Sequence, residues 1–441
     1  MIIGRGTYGT IYDDGDGNAT KRMNYEEGIP YCILREVSTM SLLQNCEQIP
    51  KIVKIKMGCD DIGITMKKYK MNLLQYRCEF KLTLFEIKKI LYQILLGLHH
   101  GEKFGILHRD IKPDNIFMDS PDVVVVGDWG LSRLQDTKDD GSFSNLVQTK
   151  WYRAPEIVEI SDDRNKDSVH NYNNIVDVWS VGCIMYELLF NRFFCETDDK
   201  LPASEHLEVI HSKILELDNY VPHTEVAAAI LLKNMLEIDP NQRFTISQCL
   251  SDAFFADCGF PSHHENSFFV DFAQEPKTLD SLNFQSLQIM HATLSKMTLL
   301  SNMSSHFNPR TLRIFLLGSI YLSHCVSITT PRTMACLSLA FKILEPIEQD
   351  YKSFTHDCTK EEILLEEQYI FKVVFHFNLY PLAFLRVLDC LNKCKLTQTT
   401  IDLIVSAILD NGWTHDRAIL LENSFNGSKC NEICSKKRKL Y

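Results

Sequence analysis

The chain has 441 residues, more than one hydrophobic core ordinarily organises, so two or three domains are expected. Its 45% hydrophobic and 23% charged residues place it with globular proteins rather than disordered or fibrous ones. The net charge of -11 argues against nucleic-acid binding as a main role, because phosphate contacts need a basic face.

Fifteen cysteines, an odd number without a CxxC pair, point to free thiols rather than a disulfide framework or a zinc site. No charged segment followed by an apolar run opens the chain at Met1, and no apolar stretch is long enough to cross a bilayer. The expectation is an intracellular, cytoplasmic or nuclear protein with no membrane partner. Nothing in the pattern specifies an oligomeric state.

Residues 1–66 alternate apolar and polar positions around turns such as Asp13 to Asn18, which predicts short antiparallel strands. Ile33, Val37 and Met40 recur at helical spacing after Pro30, predicting a helix over 31–44. Helical patterns then dominate from 83 to 256, including 84–100 and 176–190. A polar stretch with Gly and Pro over 257–283 reads as a linker. Beyond it, helices are expected at about 284–303, 310–325, 332–345, 360–376 and 381–393, a compact all-α domain over 284–395. Residues 396–441 would be a helical remnant and a tail, whose basic 435–439 run reads as a solvated end or a nuclear-import signal.

Several motifs carry chemistry. Gly4, Gly6 and Gly9 follow a strand-like start, where missing β-carbons let backbone close over phosphates; glycines of ordinary hairpins look the same. Lys21 follows on what a second strand would carry, and Glu36 lies on the next helix, placed to pair with it. The run His108-Arg109-Asp110-Ile111-Lys112-Pro113-Asp114-Asn115 is the most specific signal. Asp110 would take or orient a hydroxyl proton, Lys112 would neutralise charge on a moving phosphoryl group, and Asn115 with Asp128 would supply oxygen ligands to a hard cation.

These motifs resemble the eukaryotic protein kinases, whose pattern also contains Ala154-Pro155-Glu156, Asp177 and Arg243. The resemblance spans about residues 1–256 and implies an α+β, bilobal kinase fold using ATP and Mg2+ to phosphorylate Ser or Thr of protein substrates. It assigns Ile3, Gly4, Arg5, Gly6, Thr7, Gly9, Ile11, Lys21 and Glu36 to ATP binding, Asp110 and Lys112 to catalysis, and Asn115 and Asp128 to the metal. Asp177 and the Glu156–Arg243 pair would be structural.

Gly28 to Glu36 and Trp151 to Glu156 are similar to the cyclin-dependent kinases, which implies proline-directed specificity. In that family the counterparts of Arg35, Arg109 and Arg133 gather around a phosphorylated residue matching Ser144, and Thr7 and Tyr8 match inhibitory phosphorylation sites. Trp129 departs from the usual Phe, and the start before Gly4 and the segment from Gly9 to Lys21 are short, which predicts a loose nucleotide lid. Insertion near 159–173 and shortening between 195 and 235 also depart from the pattern.

The helical region is similar to the cyclin box in Met290 to Leu294, Leu339 to Pro346 and Thr359 to Glu367. Lys342 and Glu367 match the pair with which cyclins grip backbone at the entrance to the kinase's regulatory helix. The resemblance implies an intramolecular cyclin-like partner. A 27-residue linker spans roughly 30 Å and gives an effective concentration on the order of millimolar. The competing reading is a catalytically weak, kinase-like protein that binds cell-cycle kinase or cyclin partners.

Overall fold

The computed structural model describes residues 1–6, 9–26, 28–58, 60–134, 150–162, 174–197, 201–220, 225–259, 290, 292–294, 309–323, 325, 329–344, 358–374, 379 and 405. Thr7, Tyr8, Ser144, the 435–439 run and the helix expected at 381–393 lie outside them, as does most of the 257–283 linker. The chain divides into two compact units. One comprises 1–24, 35–135 and 142–268, the other 25–34, 136–141 and 269–441.

The first unit opens with a five-stranded antiparallel sheet in the order β1-β2-β3-β5-β4. Its strands are β1 (Ile2–Gly6), β2 (Gly9–Asp13), β3 (Asn18–Asn24), β4 (Ile52–Met57) and β5 (Asp61–Lys67). Gly9 is dictated by packing: a β-carbon there would lie 2.6 Å from the Arg22 carbonyl oxygen on the neighbouring strand. Helix α1 (Tyr31–Leu42) starts where expected and buries Ile33, Leu34, Val37 and Met40.

The rest of the first unit is mainly helical. Asn72 caps α2 (Leu73–Glu79) and Thr83 caps α3 (Leu84–Lys103), each through a reciprocal box with Gln75 or Glu86 that satisfies backbone donors at the helix start. Helix α3 buries Ile87, Ile90, Leu91, Ile94, Leu95 and Leu98, a stripe at three- and four-residue spacing. After it come β6 (Met71–Asn72) paired with β8 (Ile116–Ser120), β8 with β9 (Val123–Val126), and β7 (Ile106–Leu107) with β10 (Arg133–Leu134). Helices α4 (Pro155–Asp162), α5 (Ile175–Phe190), α6 (Ala203–Tyr220), α7 (Val226–Met235) and α8 (Ile246–Leu250) complete it. This is the layout of a sheet lobe and a helical lobe. Among the described residues, no helix is long and apolar enough to cross a membrane.

The second unit is helical where it is described, with α9 (Pro309–Ser323), α10 (Thr330–Leu344) and α11 (Lys360–Tyr369), the last running into a π-helical turn over Ile370–Val374. Helices α9 and α10 pack closely because Gly318 has no β-carbon, which would sit 3.5 Å from the Leu337 Cα. Phe315, Leu316, Ile320, Met334, Leu337 and Ile343 are buried there. The Tyr321 hydroxyl donates to the Leu379 carbonyl at 2.6 Å. Of the helix expected at 284–303, residues 290 and 292–294 are described, and they are helical.

Candidate active site

Lys21 lies on the third strand of the sheet, not the second, because Gly4 and Gly6 belong to a full hairpin that precedes it. On β3 the neighbours Ala19 and Met23 are buried, so the two-residue period turns Lys21 to the same inner face. Its Nζ donates to Glu36 Oε1 at 2.6 Å and to Asp128 Oδ1 at 3.1 Å. Burial alone would make Lys21 less basic, but the two carboxylates outweigh it and hold the ammonium above its ordinary range. Burial likewise pushes Asp128 up, and the Lys21 charge and hydrogen bond more than reverse this, leaving it below the usual carboxylate range.

The expected loose lid is a regular hairpin instead. Ile2 pairs with Tyr12, Gly4 with Ile11, Arg5 with Thr10 and Gly6 with Gly9. The amino terminus of Met1 donates to the Asp13 carbonyl at 3.1 Å, closing the open end. Strand pairing, rather than additional residues before Gly4, supplies the order. Ile3 is exposed, Ile11 is half-buried, and Thr7 and Tyr8 fall outside the described residues.

The 108–115 block is held from below by one carboxylate. Asp177, buried in the first turn of α5, accepts the His108 and Arg109 backbone N–H groups, both at 2.8 Å. Arg109 can then adopt a left-handed backbone (φ 66°), with its Nε on the Leu131 carbonyl at 2.9 Å. Asp110 Oδ2 accepts from Lys112 Nζ at 2.8 Å and from Asn115 Nδ2 at 3.0 Å. Asn115 Nδ2 also donates to the Asp110 carbonyl at 2.8 Å.

Hairpin register brings Asn115 and Asp128 together. They flank β8 and β9, where Ile116 pairs with Val126, and the Gly127 N–H donates to the Asn115 carbonyl at 2.9 Å. His108 Nε2 meets the Gly127 carbonyl at 2.9 Å, which ties the block to the Asp128 turn. Asp128 itself has a left-handed backbone (φ 57°).

Trp129 has a prepared seat. Its indole is fully buried, donates to the Val126 carbonyl at 2.9 Å and meets the His108 ring edge-on at 4.5 Å. A β-carbon at Gly101 would lie 3.2 Å from the far edge of the indole, so this glycine makes room for a side chain larger than Phe. Gly101 was not singled out by sequence; only its contact explains it.

Arg243 forms a fork on Glu156, Nη1 to Oε1 at 2.7 Å and Nη2 to Oε2 at 2.9 Å. Arg35, Arg109 and Arg133 are all buried, whereas Ser144, expected as their phosphorylated partner, lies outside the described residues. In the second unit, Glu367 accepts from Lys342 Nζ at 2.7 Å and from Ser338 Oγ at 2.5 Å. Lys342 Nζ also donates to the carbonyl of Ile29, part of the 25–34 stretch that belongs to this unit, at 3.1 Å. Ser338 escaped sequence reading because a serine on an apolar helix face has no distinguishing signal.

The oxygen donors suit a divalent cation. Asn115 spends its amide hydrogens on Asp110, leaving the side-chain carbonyl, and Asp128 spends one oxygen on Lys21, leaving the other. Among the described residues no group of three or more His, Cys, Asp or Glu forms a metal cage, so further ligands must come from elsewhere, as nucleotide phosphates would provide.

The family model of the protein kinase domain matches residues 1–255. The chain is 27% identical over 296 residues to cyclin-dependent kinase B2-1 of Arabidopsis thaliana, covering 58% of this chain and 92% of that protein. It is 26% identical over 296 residues to cyclin-dependent kinase 20 of Danio rerio, covering 59% and 84%. To the serine/threonine-protein kinase ICK of Rattus norvegicus it is 31% identical over 290 residues, 57% of this chain and 44% of that protein. A matched domain model over more than half of its length, on a fold with a sheet lobe and a helical lobe, makes this chain a member of the protein kinase family.

Proposed function

We propose that the chain transfers the γ-phosphoryl group of Mg-ATP to serine or threonine of protein substrates, in the manner of the cyclin-dependent kinases it resembles. The observation that carries this reading is the bridge from Lys21 to both Glu36 and Asp128, at 2.6 and 3.1 Å, beside an Asp110–Lys112–Asn115 network. It supports an active enzyme over a catalytically weak binding protein.

The magnesium nucleotide supplies the electrophilic phosphoryl group. Asn115 and Asp128 would hold the metal, and Lys21, fixed by Glu36, would hold phosphate oxygens beneath the Gly4–Gly9 hairpin. Asp110 orients the acceptor hydroxyl and receives its proton. Lys112, bonded to Asp110 Oδ2, brings a positive charge beside the position where negative charge moves between oxygens. Proline-directed specificity and control by Ser144, Thr7 and Tyr8 belong to the same proposal, through Arg35, Arg109 and Arg133.

Asp110→Ala should reduce phosphorylation of a serine peptide about a thousandfold with little change in nucleotide binding. Equal labelling by the variant and the native chain would overturn the assignment.

The second unit we assign as a cyclin-like activator. Its support is the Lys342–Glu367 pair and the bond from Lys342 to the Ile29 carbonyl, two residues ahead of the helix that carries Glu36. Holding that entrance would bias α1 toward the position in which Glu36 meets Lys21.

A further inference from the structure

Phosphoryl transfer gives no role to Glu187, yet this carboxyl is the least comfortable group in the first unit. It lies in the last turn of α5 with 1% of its side chain exposed, and neither oxygen accepts a hydrogen bond of normal geometry among the described residues. A buried acceptor left open costs about 1–3 kcal/mol, and more when charged. Such groups persist where the strain does something.

Four titratable or charged neighbours face the carboxyl. Arg77, at the end of α2, places Nη2 3.5 Å from Oε2, long for an ion pair. The guanidinium is held over the Phe193 ring at 4.7 Å, and its Nε has no hydrogen-bond partner either. The Tyr152 hydroxyl faces Glu187 without completing a bond of normal geometry. Asp114, in the 113–115 turn, and Cys183, one turn earlier on α5, complete the set.

The placement of Tyr152 gives the cluster its meaning. It ends the short turn Lys150–Tyr152, and its carbonyl is pinned by the Ser180 hydroxyl at 2.8 Å. The next residue, Arg153, interacts electrostatically with Asp110. An acceptor hydroxyl that reaches Asp110 must bring its peptide past this turn. Glu187 therefore sits behind the surface on which a protein substrate rests, touching it through Tyr152.

We propose that Glu187 is a positioning residue for the protein substrate. Ionised, its carboxylate draws in the Tyr152 hydroxyl and Arg77 and seats the Lys150–Arg153 turn beside Asp110; protonated, it releases them and the peptide binds more weakly. Burial pushes Glu187 up to about 7, against the pull of Tyr152 and Arg77 and with a small push from Asp114, so both forms are populated near neutral pH. Glutamine has the shape of the protonated form and cannot ionise. The proposal rests on the kinase reading above.

Two measurements on the full chain test it. With a histidine-free, end-capped serine-proline peptide, the native peptide KM should rise several-fold from pH 8 to pH 6. Glu187→Gln should show the higher KM at both values, while KM for the nucleotide follows the same profile in both proteins. Separately, hydrogen exchange of the 150–154 amides, compared between the two proteins at the same pH, should be slower in the native chain at pH 8 and equal at pH 6. Tyr152→Phe should behave like Glu187→Gln in both assays and replaces it if that variant fails to fold. Equal exchange and equal peptide KM at pH 8 would overturn the proposal. An exchange difference without phosphorylation of any peptide would overturn the kinase reading and the substrate half of this proposal with it.

Discussion

A lysine that bridges two carboxylates keeps its proton more firmly than a free one, and Lys21 is such a residue. Its charge therefore stays fixed across the pH range in which the chain would work. Glu187 behaves in the opposite way. Its folded-state pKa is raised from 4.5 to about 7, so the stability linked to its protonated form is fully present below about pH 4.5 and is lost as pH rises through 7. The difference amounts to about 3 kcal/mol. Glu187→Gln should thus gain stability relative to the native chain at pH 8 and lose that advantage at pH 4.5. Chemical denaturation of both proteins at the two pH values checks the sign. At this scale Asp110, Lys112 and Asn115 were legible because their chemistry is local, whereas Gly101 and Ser338 were not, because each matters only through a neighbour distant in sequence.

Elements decide how these residues meet. The β8–β9 hairpin brings Asn115 to Asp128, and the antiparallel register of β3 between β2 and β5 turns Lys21 inward. The β1–β2 hairpin is equally constrained, because the Gly9 site is blocked by the Arg22 carbonyl at 2.6 Å. Gly9→Ala must displace backbone, and a strain of roughly 1.4 kcal/mol would raise KM for the nucleotide about tenfold. Steady-state kinetics at saturating peptide measures this; an unchanged KM would show that the hairpin absorbs the methyl group. Helix starts were foreseeable, since Thr83 with Glu86 and Thr359 with Glu362 are capping pairs written in sequence. The loose lid was a wrong expectation because a count of residues before Gly4 does not register strand pairing.

At the scale of the whole molecule, the Tyr25–Leu34 stretch belongs to the second unit although it lies between β3 and the body of α1. Lys342 is the residue that fastens it, and its loss would leave Glu367 buried with the Ser338 hydroxyl alone. Lys342→Ala should destabilise the second unit by about 3 kcal/mol. On the proposed activator role it should also lower the phosphorylation rate at saturating nucleotide. A thermal melt together with peptide phosphorylation separates the two effects: lower stability with an unchanged rate in the folded protein would remove the activator role and keep the structural one.

The sequence by itself determined the catalytic block, the order of strands and helices in the kinase domain, and the pairing partners Glu156 with Arg243 and Lys342 with Glu367. Those depend on residue chemistry, periodicity and motif spacing, all of which are written along the chain. Only tertiary structure decided that Lys21 bridges two carboxylates, that Gly101 makes room for Trp129, and that Glu187 is left without a hydrogen bond behind Tyr152. The reason is physical: burial and the direction of a side chain come from what other segments place around it, and a neighbour's field can move a carboxyl from acid to neutral pH without changing a letter of the sequence.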